Sequence, residues 1–385
     1  MVLAKRDINI TYMKGKGNTV KMKSKKIGLS FLSIASAVLL MLSSCEKDDT
    51  SNDQYEQIQP KGAKPSWGPT ITPQMQTVIE TLDSMNSTPL YTLTPQQARM
   101  QPSPADAAMR VMRNYNIATP PMNVDTMGME VPVQGGSIHV RIYTPKTGKS
   151  SYPMIVYYHG GGWVIATIDT YNTSAQALAE QVDAVVVSVE YRKGPEFKFP
   201  TAHNDSYKAY KWALANASTM KADSTKVAVA GESAGGNLAV AVAMMTRDSA
   251  IRKPLHILSV YPIANYDFNT ASYTQYASAK PLSKLLMQWF FTNYLNNTAE
   301  GANPWISLVN ANLSGLPATT IINAEIDPLQ TEGGMLADKL QAAGVPVVRQ
   351  LYTGVTHEFF GMATVIPEAK DAQALAAQRL KDALK

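Results

Sequence analysis

The chain has few of the residues that build covalent or metal-bound frameworks. Cys45 is its only cysteine, so no intramolecular disulfide can form and stability depends on a core of adequate size. The five histidines are scattered, and no His/Asp cluster has the spacing of metal ligands. No internal repeat is present. The sequence therefore predicts a protein that needs no metal and no cofactor.

The N-terminal apolar run is too short to cross a bilayer. Ile27–Leu42 is uncharged, spans sixteen residues and follows the basic segment Lys23–Lys26, a pattern typical of a signal peptide. The run ends in Leu42–Cys45, which resembles a bacterial lipobox. We therefore expect residues 1–44 to be removed and Cys45 to carry lipid.

The positive charge of the chain lies mostly in this segment. Eight Lys and Arg residues precede Cys45 against one acidic residue, Asp7, so removing a net +7 from the total of +5 leaves about −2. The basic isoelectric point comes mostly from the segment that is removed, so it gives no reason to expect a nucleic-acid partner. Met22 is a better start than Met1, because the polar residues before it fit no export signal.

The residues after Cys45 indicate a destination. Glu46, which is not Asp, resembles Gram-negative signals for sorting to the outer membrane. The acidic cluster Glu46–Asp49 also resembles signals that carry some lipoproteins to the cell surface. We expect an extracytoplasmic protein bound to the outer membrane through its lipid.

Ser233 lies in a pattern that is typical of a nucleophile elbow. The apolar run Lys226–Ala230 predicts a strand, Gly231–Gly235 reads G-x-S-x-G, and a helix-forming stretch follows from Asn237. The two glycines remove side chains that would collide where the strand and the helix nearly touch. A chance small-residue turn is the alternative, so the assignment depends on partners elsewhere.

A glycine loop follows the predicted strand Pro153–Tyr158. His159 to Trp163 reads His-Gly-Gly-Gly-Trp, and its consecutive glycines leave backbone N–H groups that can face a developing oxyanion. A flexible turn and a phosphate loop are the alternatives. A phosphate loop would place Lys-Ser or Lys-Thr after the glycines, where Trp163 and Val164 stand instead.

The remaining partners follow in the order nucleophile, acid, histidine. His357 lies in the segment that follows the predicted strand Val347–Tyr352, whereas the other histidines fit structural positions (His139, His159, His203, His256). Asp327 competes with Glu325 for the role of the acid. We favour Asp327, because Pro328 ends the strand there and forces a loop.

Together these residues resemble the hormone-sensitive-lipase-like family of bacterial carboxylesterases, from about Pro73 to the C-terminus. The resemblance also includes Glu190-Tyr191-Arg192 with Pro195-Glu196, which we interpret as loop braces. It implies oxyanion amides from Gly161, Gly162 and Ala234, with support from the neighbouring loop residues His159, Gly160 and Trp163. Three positions depart from the family pattern: Glu232, Glu190 and Ala166.

The same resemblance implies an α/β-hydrolase fold, a mainly parallel eight-stranded α/β sheet flanked by helices under a helical cap. Alternating strand and helix patterns agree with it. We expect a polar, acidic tether over residues 45–68 and N-terminal cap helices over residues 69–118. The catalytic domain then spans residues 119–385, with a cap insertion at about 265–303 that contains a helix around Leu282–Leu295.

The predicted function is a serine carboxylesterase that hydrolyses short-acyl esters through a Ser233–His357–Asp327 triad and an acyl-enzyme intermediate. A glycan or a small molecule could be the substrate to be deacetylated. A serine peptidase of the same superfamily is one alternative, although a propeller before the core is usual there. A non-catalytic binding lipoprotein is the other, although it would be expected to have lost triad residues. Oligomeric state stays open.

Overall fold

The structure, a computed structural model, describes residues 54–86, 88–249 and 251–385. The predicted signal peptide, the lipidation site Cys45 and the acidic cluster Glu46–Asp49 lie outside the described residues. No helix within these ranges has the length and apolar character needed to cross a membrane.

The described chain contains one sheet of eight strands, which are β1 (Val124–Val133), β2 (Gly136–Pro145), β3 (Tyr152–Tyr158), β4 (Val185–Val189), β5 (Ala222–Glu232), β6 (Ile257–Val260), β7 (Thr319–Ile326) and β8 (Val347–Thr356). Their spatial order is β1-β2-β4-β3-β5-β6-β7-β8. β2 is antiparallel to both β1 and β4, and the pairs from β4 to β8 are parallel. This confirms the predicted, mainly parallel eight-stranded sheet.

The helices with described bounds are α1 (Pro73–Met85), α2 (Pro95–Arg99), α3 (Pro104–Asn114), α4 (Asn172–Val182), α5 (Thr201–Ala215), α6 (Ala234–Arg247), α7 (Ala271–Gln275), α8 (Lys284–Tyr294), α9 (Gln330–Ala342) and α10 (Pro367–Ala383). Helix α6, which follows the elbow, is buried over almost its whole length. It packs on β3, β5 and β6, so Ser233 lies where a central strand meets a central helix.

Both faces of the sheet are covered. Along β3, Ile155 and Tyr157 belong to one buried cluster, while Val156 and Tyr158 belong to a second cluster. Successive side chains of a strand point to opposite faces, so a strand covered on both sides reads as a continuous apolar run. Two apolar layers therefore hold the carboxyl ends of the parallel strands at one edge.

β1 is longer than its side-chain polarity indicates. β1 begins at Val124, although its first residues are mostly exposed and have no apolar alternation. Its register with β2 runs from Val124 paired with Pro145 to Val133 paired with Gly136. Backbone pairing in this hairpin extends the strand, and that pairing leaves no signal in side-chain polarity.

The N-terminal segment differs from the expected tether of residues 45–68. Tyr55 is 7% exposed and Ile58 is fully buried. The Tyr55 hydroxyl donates to the carbonyl oxygen of Ala363 at 2.7 Å, and Gln54 Nε2 donates to that of Thr364 at 2.8 Å. Large apolar side chains begin at Tyr55 and are buried against the domain. The described part of the expected tether is therefore part of the folded domain.

Helices occur in both segments that the sequence predicts to form a cap. Helices α1 to α3 lie within residues 69–118, and α7 and α8 lie within the insertion at 265–303. An ion pair joins the two segments, with Lys280 Nζ 2.7 Å from Asp83 Oδ1. Trp289 Nε1 on α8 donates to the carbonyl oxygen of Leu93 at 3.2 Å. The cap is thus built from two pieces that contact each other directly.

Candidate active site

Ser233 occupies a strained turn between β5 and α6. Its backbone angles are φ 56° and ψ −118°, a conformation that residues with a side chain rarely adopt. Its N–H donates to the carbonyl oxygen of Val260 at 2.9 Å, and its own carbonyl oxygen accepts from Asn237 N at 3.1 Å. These bonds to β6 and to the first turn of α6 hold the strained residue in place.

The glycines on either side of Ser233 allow this turn. A Cβ at Gly231 would overlap the carbonyl oxygen of Gly235, and one at Gly235 would overlap that of Tyr158. No rotamer can relieve an overlap with backbone atoms. The structure confirms the prediction that both positions need glycine because the strand and the helix nearly touch.

Three side chains from three strand ends meet in one line. Ser233 Oγ lies 2.9 Å from His357 Nε2, and His357 Nδ1 lies 2.7 Å from Asp327 Oδ2. Asp327 and His357 directly follow β7 and β8, whose carboxyl ends are at the same edge as that of β5. Asp327 is completely buried, and Ser233 is 4% exposed. The predicted trio is therefore brought together with each hydrogen-bonding atom opposite its partner.

Asp327 and Glu325 have different positions and different partners. β7 ends at Ile326, and Asp327 lies in the turn that follows, where its Oδ1 accepts from Leu329 N at 2.9 Å. Glu325 lies within β7, and its carboxylate accepts from Thr70 Oγ1 at 3.0 Å and from Gly354 N at 2.7 Å. Of the two carboxylates, only that of Asp327 contacts His357.

The surroundings of His357 favour its protonated form. Burial alone would lower the pKa of His357, but the Asp327 carboxylate, with contributions from Glu358 and Glu232, outweighs burial and raises the pKa. The site is therefore arranged to stabilise a positive charge on this imidazole. That charge would appear if His357 accepted the proton of Ser233.

The glycine loop presents free amides near Ser233. Gly161 and Gly162 have φ angles of 95° and 56°. A Cβ at Gly161 would overlap the carbonyl oxygen of Ile165, and one at Gly162 would overlap the Phe290 ring on α8. In the described part of the chain, no protein acceptor is found for the amides of Gly161, Gly162 and Ala234. All three amides thus remain available for a bound group.

A family model described as "alpha/beta hydrolase fold" matches residues 155–361, more than half of the chain. The chain belongs to the alpha/beta hydrolase family. The matched range contains the glycine loop, the Ser233 elbow, Asp327 and His357, which are the parts whose geometry is described above.

Several named relatives of this hydrolase are esterases. It is 34% identical over 280 residues to a carboxylesterase of Mycobacterium tuberculosis, covering 71% of this chain and 88% of the relative. It is 30% identical over 254 residues to an ethyl acetate hydrolase of Pseudomonas putida, covering 65% and 80%. A thermophilic carboxylesterase cloned from a metagenomic library superposes with a TM-score of 0.71 at 35% identity, covering 76% and 99%. The hydrolase is a carboxylesterase of this superfamily.

The residues beside the hydrolase's glycine loop hold it from several sides. The His159 ring stacks on Tyr191, with centroids 4.3 Å apart. Tyr191 Oη donates to the carbonyl oxygen of His159 at 2.8 Å. Burial lowers the pKa of His159 to about 4, so its ring is neutral at pH 7. Trp163 is buried and stacks on Tyr294 at 4.8 Å. His159 and Trp163 are therefore packed against residues outside the glycine loop.

The predicted loop braces of the hydrolase form ion pairs and backbone contacts. Arg192 binds both carboxylate oxygens of Asp205, through Nε at 2.8 Å and Nη2 at 2.7 Å. Arg99 on α2 pairs with Glu196 at 2.7 Å and donates through Nε to the carbonyl oxygen of Val164 at 2.8 Å. One cap helix is thereby tied to the end of the glycine loop.

The hydrolase also has hydrogen bonds between tyrosines and acidic residues that the sequence patterns did not indicate. Glu232 accepts from the hydroxyls of Tyr157, at 2.5 Å, and of Tyr261. Glu358 accepts from Tyr171 Oη at 2.6 Å. Only their place in the sequence could have indicated that they lie near the active site. Tyr261 directly follows β6, and Glu358 directly follows His357 at the carboxyl edge of the sheet.

The other histidines have structural partners. His203 Nδ1 lies 2.9 Å from Tyr294 Oη, and its Nε2 lies 3.1 Å from Asn237 Oδ1. His256 Nε2 lies 3.0 Å from Thr320 Oγ1, and His139 pairs with Glu130 at the sheet edge. Within residues 54–86, 88–249 and 251–385, no group of three or more His, Cys, Asp or Glu side chains is arranged to hold a metal ion.

Proposed function

We propose that this carboxylesterase acts through Ser233 as its nucleophile, His357 as its general base and acid, and Asp327 as the group that orients the imidazole. The observation that carries the proposal is the line from Ser233 Oγ to His357 Nε2 at 2.9 Å and from His357 Nδ1 to Asp327 Oδ2 at 2.7 Å. This is the donor and acceptor order of a serine triad.

With these roles, the reaction proceeds in two steps, acylation and deacylation of Ser233. Ser233 Oγ attacks the ester carbonyl carbon while its proton passes to His357 Nε2. The tetrahedral intermediate collapses to an acyl-enzyme as His357 returns this proton to the leaving alcohol. Water attacks the acyl-enzyme in the same way and releases the carboxylic acid and free Ser233.

The amides of Gly161, Gly162 and Ala234 are the proposed oxyanion donors. Supporting this role, they have no acceptor among the described residues. Ala234 directly follows Ser233, and the glycine loop approaches the elbow, because a Cβ at Gly235 would overlap the carbonyl oxygen of His159. Loss of one donor at such a site costs about 3–4 kcal/mol of transition-state stabilisation. A fixed set of amides also needs no reorganisation when the charge develops.

Short acyl chains are the proposed substrates. Phe290 on α8 touches Gly162 so closely that a methyl group would not fit between them, which restricts the space beside the oxyanion donors. The relative named ethyl acetate hydrolase points to the same substrate class. Acetyl groups on glycans or small alcohols fit this restriction, so deacetylation is the proposed biological reaction.

The test compares p-nitrophenyl esters from acetate to laurate, with acetylated xylan and peptide anilides as further substrates. We expect kcat/KM to be highest for acetate or butyrate. Ser233→Ala should remove activity by several orders of magnitude. Ser188→Ala is the matched control, because Ser188 is a buried serine on β4 whose hydroxyl has no partner among the described residues. Retained turnover in Ser233→Ala, or faster cleavage of anilides than of esters, contradicts the proposal.

We also propose that the protein is exported and anchored by lipid at Cys45, with the outer membrane as its destination. The support comes from sequence alone: the basic segment, the uncharged apolar run and the lipobox-like residues before Cys45. An enzyme held there would meet esters of the cell envelope and of the surroundings.

A further inference from the structure

Glu358 follows His357 directly and adopts a backbone conformation that is unusual for its residue type. Its φ is 73°, in the left-handed region that favours glycine. Its side chain is only 18% exposed, and its Oε1 lies 3.8 Å from His357 Nε2. A carboxylate is thus held near the nitrogen that would accept the proton of Ser233.

Tyr171 holds this carboxylate. Its hydroxyl donates to Glu358 Oε1 at 2.6 Å, and its side chain is buried. The same hydroxyl lies against Gly160, where an added Cβ would overlap it. Tyr171 therefore connects Glu358 to the glycine loop and leaves Glu358 little freedom to move away from His357.

A second carboxylate, Glu232, lies behind the first. The hydroxyls of Tyr157 and Tyr261 donate to its two oxygens, and the Tyr261 ring lies 4.5 Å from the His357 ring. Glu232 and Glu358 line one small cavity of about 20 Å³. Ser174 lines it too, and its side chain is buried. Glu358 is therefore the acidic group near Nε2, and Glu232 lies on the same small cavity as Glu358.

We propose that Glu358, held by Tyr171 and backed by Glu232, is a positioning residue that stabilises the positively charged form of His357 during catalysis. The inference rests on the proposed function, since that charge exists when His357 holds the proton of Ser233. Asp327 acts at Nδ1 and Glu358 acts at the Nε2 side. The imidazolium thus lies between two carboxylates, one hydrogen-bonded and one at 3.8 Å.

The acidic groups around His357 all raise its pKa. They are Asp327, Glu358 and Glu232. Burial, and then the negative charge of Glu358 and Glu232 among other groups, keeps the pKa of Tyr171 well above its ordinary value, so this phenol stays a neutral donor. Burial raises the pKa of Glu358, while the charge of His357 and the Tyr171 hydrogen bond lower it. Removing the charge of Glu358 should therefore lower the pKa of His357.

Glu358→Gln tests this, because it removes the charge and keeps both an acceptor for Tyr171 and the backbone preference. His357 must be neutral to act as a base, so the acid limb of kcat/KM against pH reports its pKa in the free enzyme. We expect the midpoint of this limb to move to lower pH by about one to three units. The value of kcat above the limb should fall by about tenfold, because the imidazolium is less stabilised.

Glu325→Gln is the matched control, since that carboxylate binds Thr70 and Gly354 and makes no contact with His357. Its acid limb should not move. Tyr171→Phe keeps the Glu358 charge but removes its hydrogen bond, and should give a smaller shift in the same direction. It also serves as the second variant if Glu358→Gln does not fold.

An NMR titration of histidine ring C–H signals separates this inference from the proposed function. The signal missing in His357→Gln identifies His357 among the five histidines. Its pKa should fall in Glu358→Gln whether or not the protein hydrolyses an ester. An unchanged or higher His357 pKa in Glu358→Gln overturns the inference, and so does an equal fall in Glu325→Gln.

Discussion

Glu232→Gln should make the protein more stable at high pH. Glu232 is buried, and burial raises its pKa to about 7, although hydrogen bonds from Tyr157 and Tyr261 oppose the rise. A carboxyl group whose pKa is higher in the folded state favours folding below its unfolded pKa. That contribution is lost as the pH rises through the folded value. Glutamine resembles the protonated acid, with one donor and one acceptor, at every pH.

The expected magnitude follows from the two pKa values. The difference between 4.5 and about 7, at 1.36 kcal/mol per pH unit, corresponds to about 3 kcal/mol. Wild-type protein should lose this much free energy of unfolding between pH 4 and pH 8 through Glu232 alone. Because both proteins keep all other titrating groups, the difference between variant and wild type isolates this contribution.

Urea unfolding at several pH values measures the effect. Near pH 4 the free energies of unfolding of Glu232→Gln and wild type should agree within about 1 kcal/mol, the net value of one altered hydrogen bond. At pH 8 the free energy of unfolding of the variant should exceed that of the wild type by about 3 kcal/mol. Ser233→Ala, a neutral change at the next residue, should follow the wild-type pH dependence. A pH-independent difference for Glu232→Gln would refute the reasoning.

Three further predictions concern the acid, the glycine loop and the anchor. Asp327→Asn should lower kcat by about 10⁴-fold, and Glu325→Gln should leave it nearly unchanged; steady-state kinetics with reversed effects would mean that the acid is misassigned. Gly162→Ala should lower kcat by about 10²-fold or more, because its Cβ has no room beside α8. Gly148→Ala, also at positive φ but with open space around it, is the control, and equal losses would disprove the steric argument. Cys45→Ala should abolish labelling by a radioactive fatty acid in cells, and equal labelling of both proteins would exclude lipid at this residue.

The order of strands along the chain and the trio of Ser233, Asp327 and His357 could be predicted from the sequence. Each residue follows an apolar run, and the carboxyl ends of parallel strands meet at one edge, so linear order becomes spatial proximity. The choice of Asp327 over Glu325 was predictable for a related reason. Pro328 ends the strand, and the structure has β7 end one residue before Asp327.

The polar residues behind His357 could not be predicted in this way. Tyr171 and Glu358 are 187 positions apart, and Tyr157 and Glu232 are 75 positions apart. Glu232 lies in the elbow pattern, but its partner Tyr157 does not, and Tyr171 and Glu358 belong to no common motif. The contacts depend on how the residues of β3 and the start of α4 pack against the strand ends. The N-terminal boundary was misplaced for a different reason. The residues around Tyr55 and Ile58 are mostly polar and so predicted a tether, but these two side chains are buried in the domain.

The two contacts between the cap and the glycine loop have a consequence for how such enzymes diversify. Arg99 on α2 binds the carbonyl oxygen of Val164, and Phe290 on α8 touches Gly162. The cap is therefore part of the scaffold that aims the amides of the loop, and is more than a cover above the pocket. A cap transplanted from a related esterase would bring its own specificity, but it would also replace these two supports. A change of substrate specificity by exchange of the cap therefore requires that the glycine loop be exchanged with it.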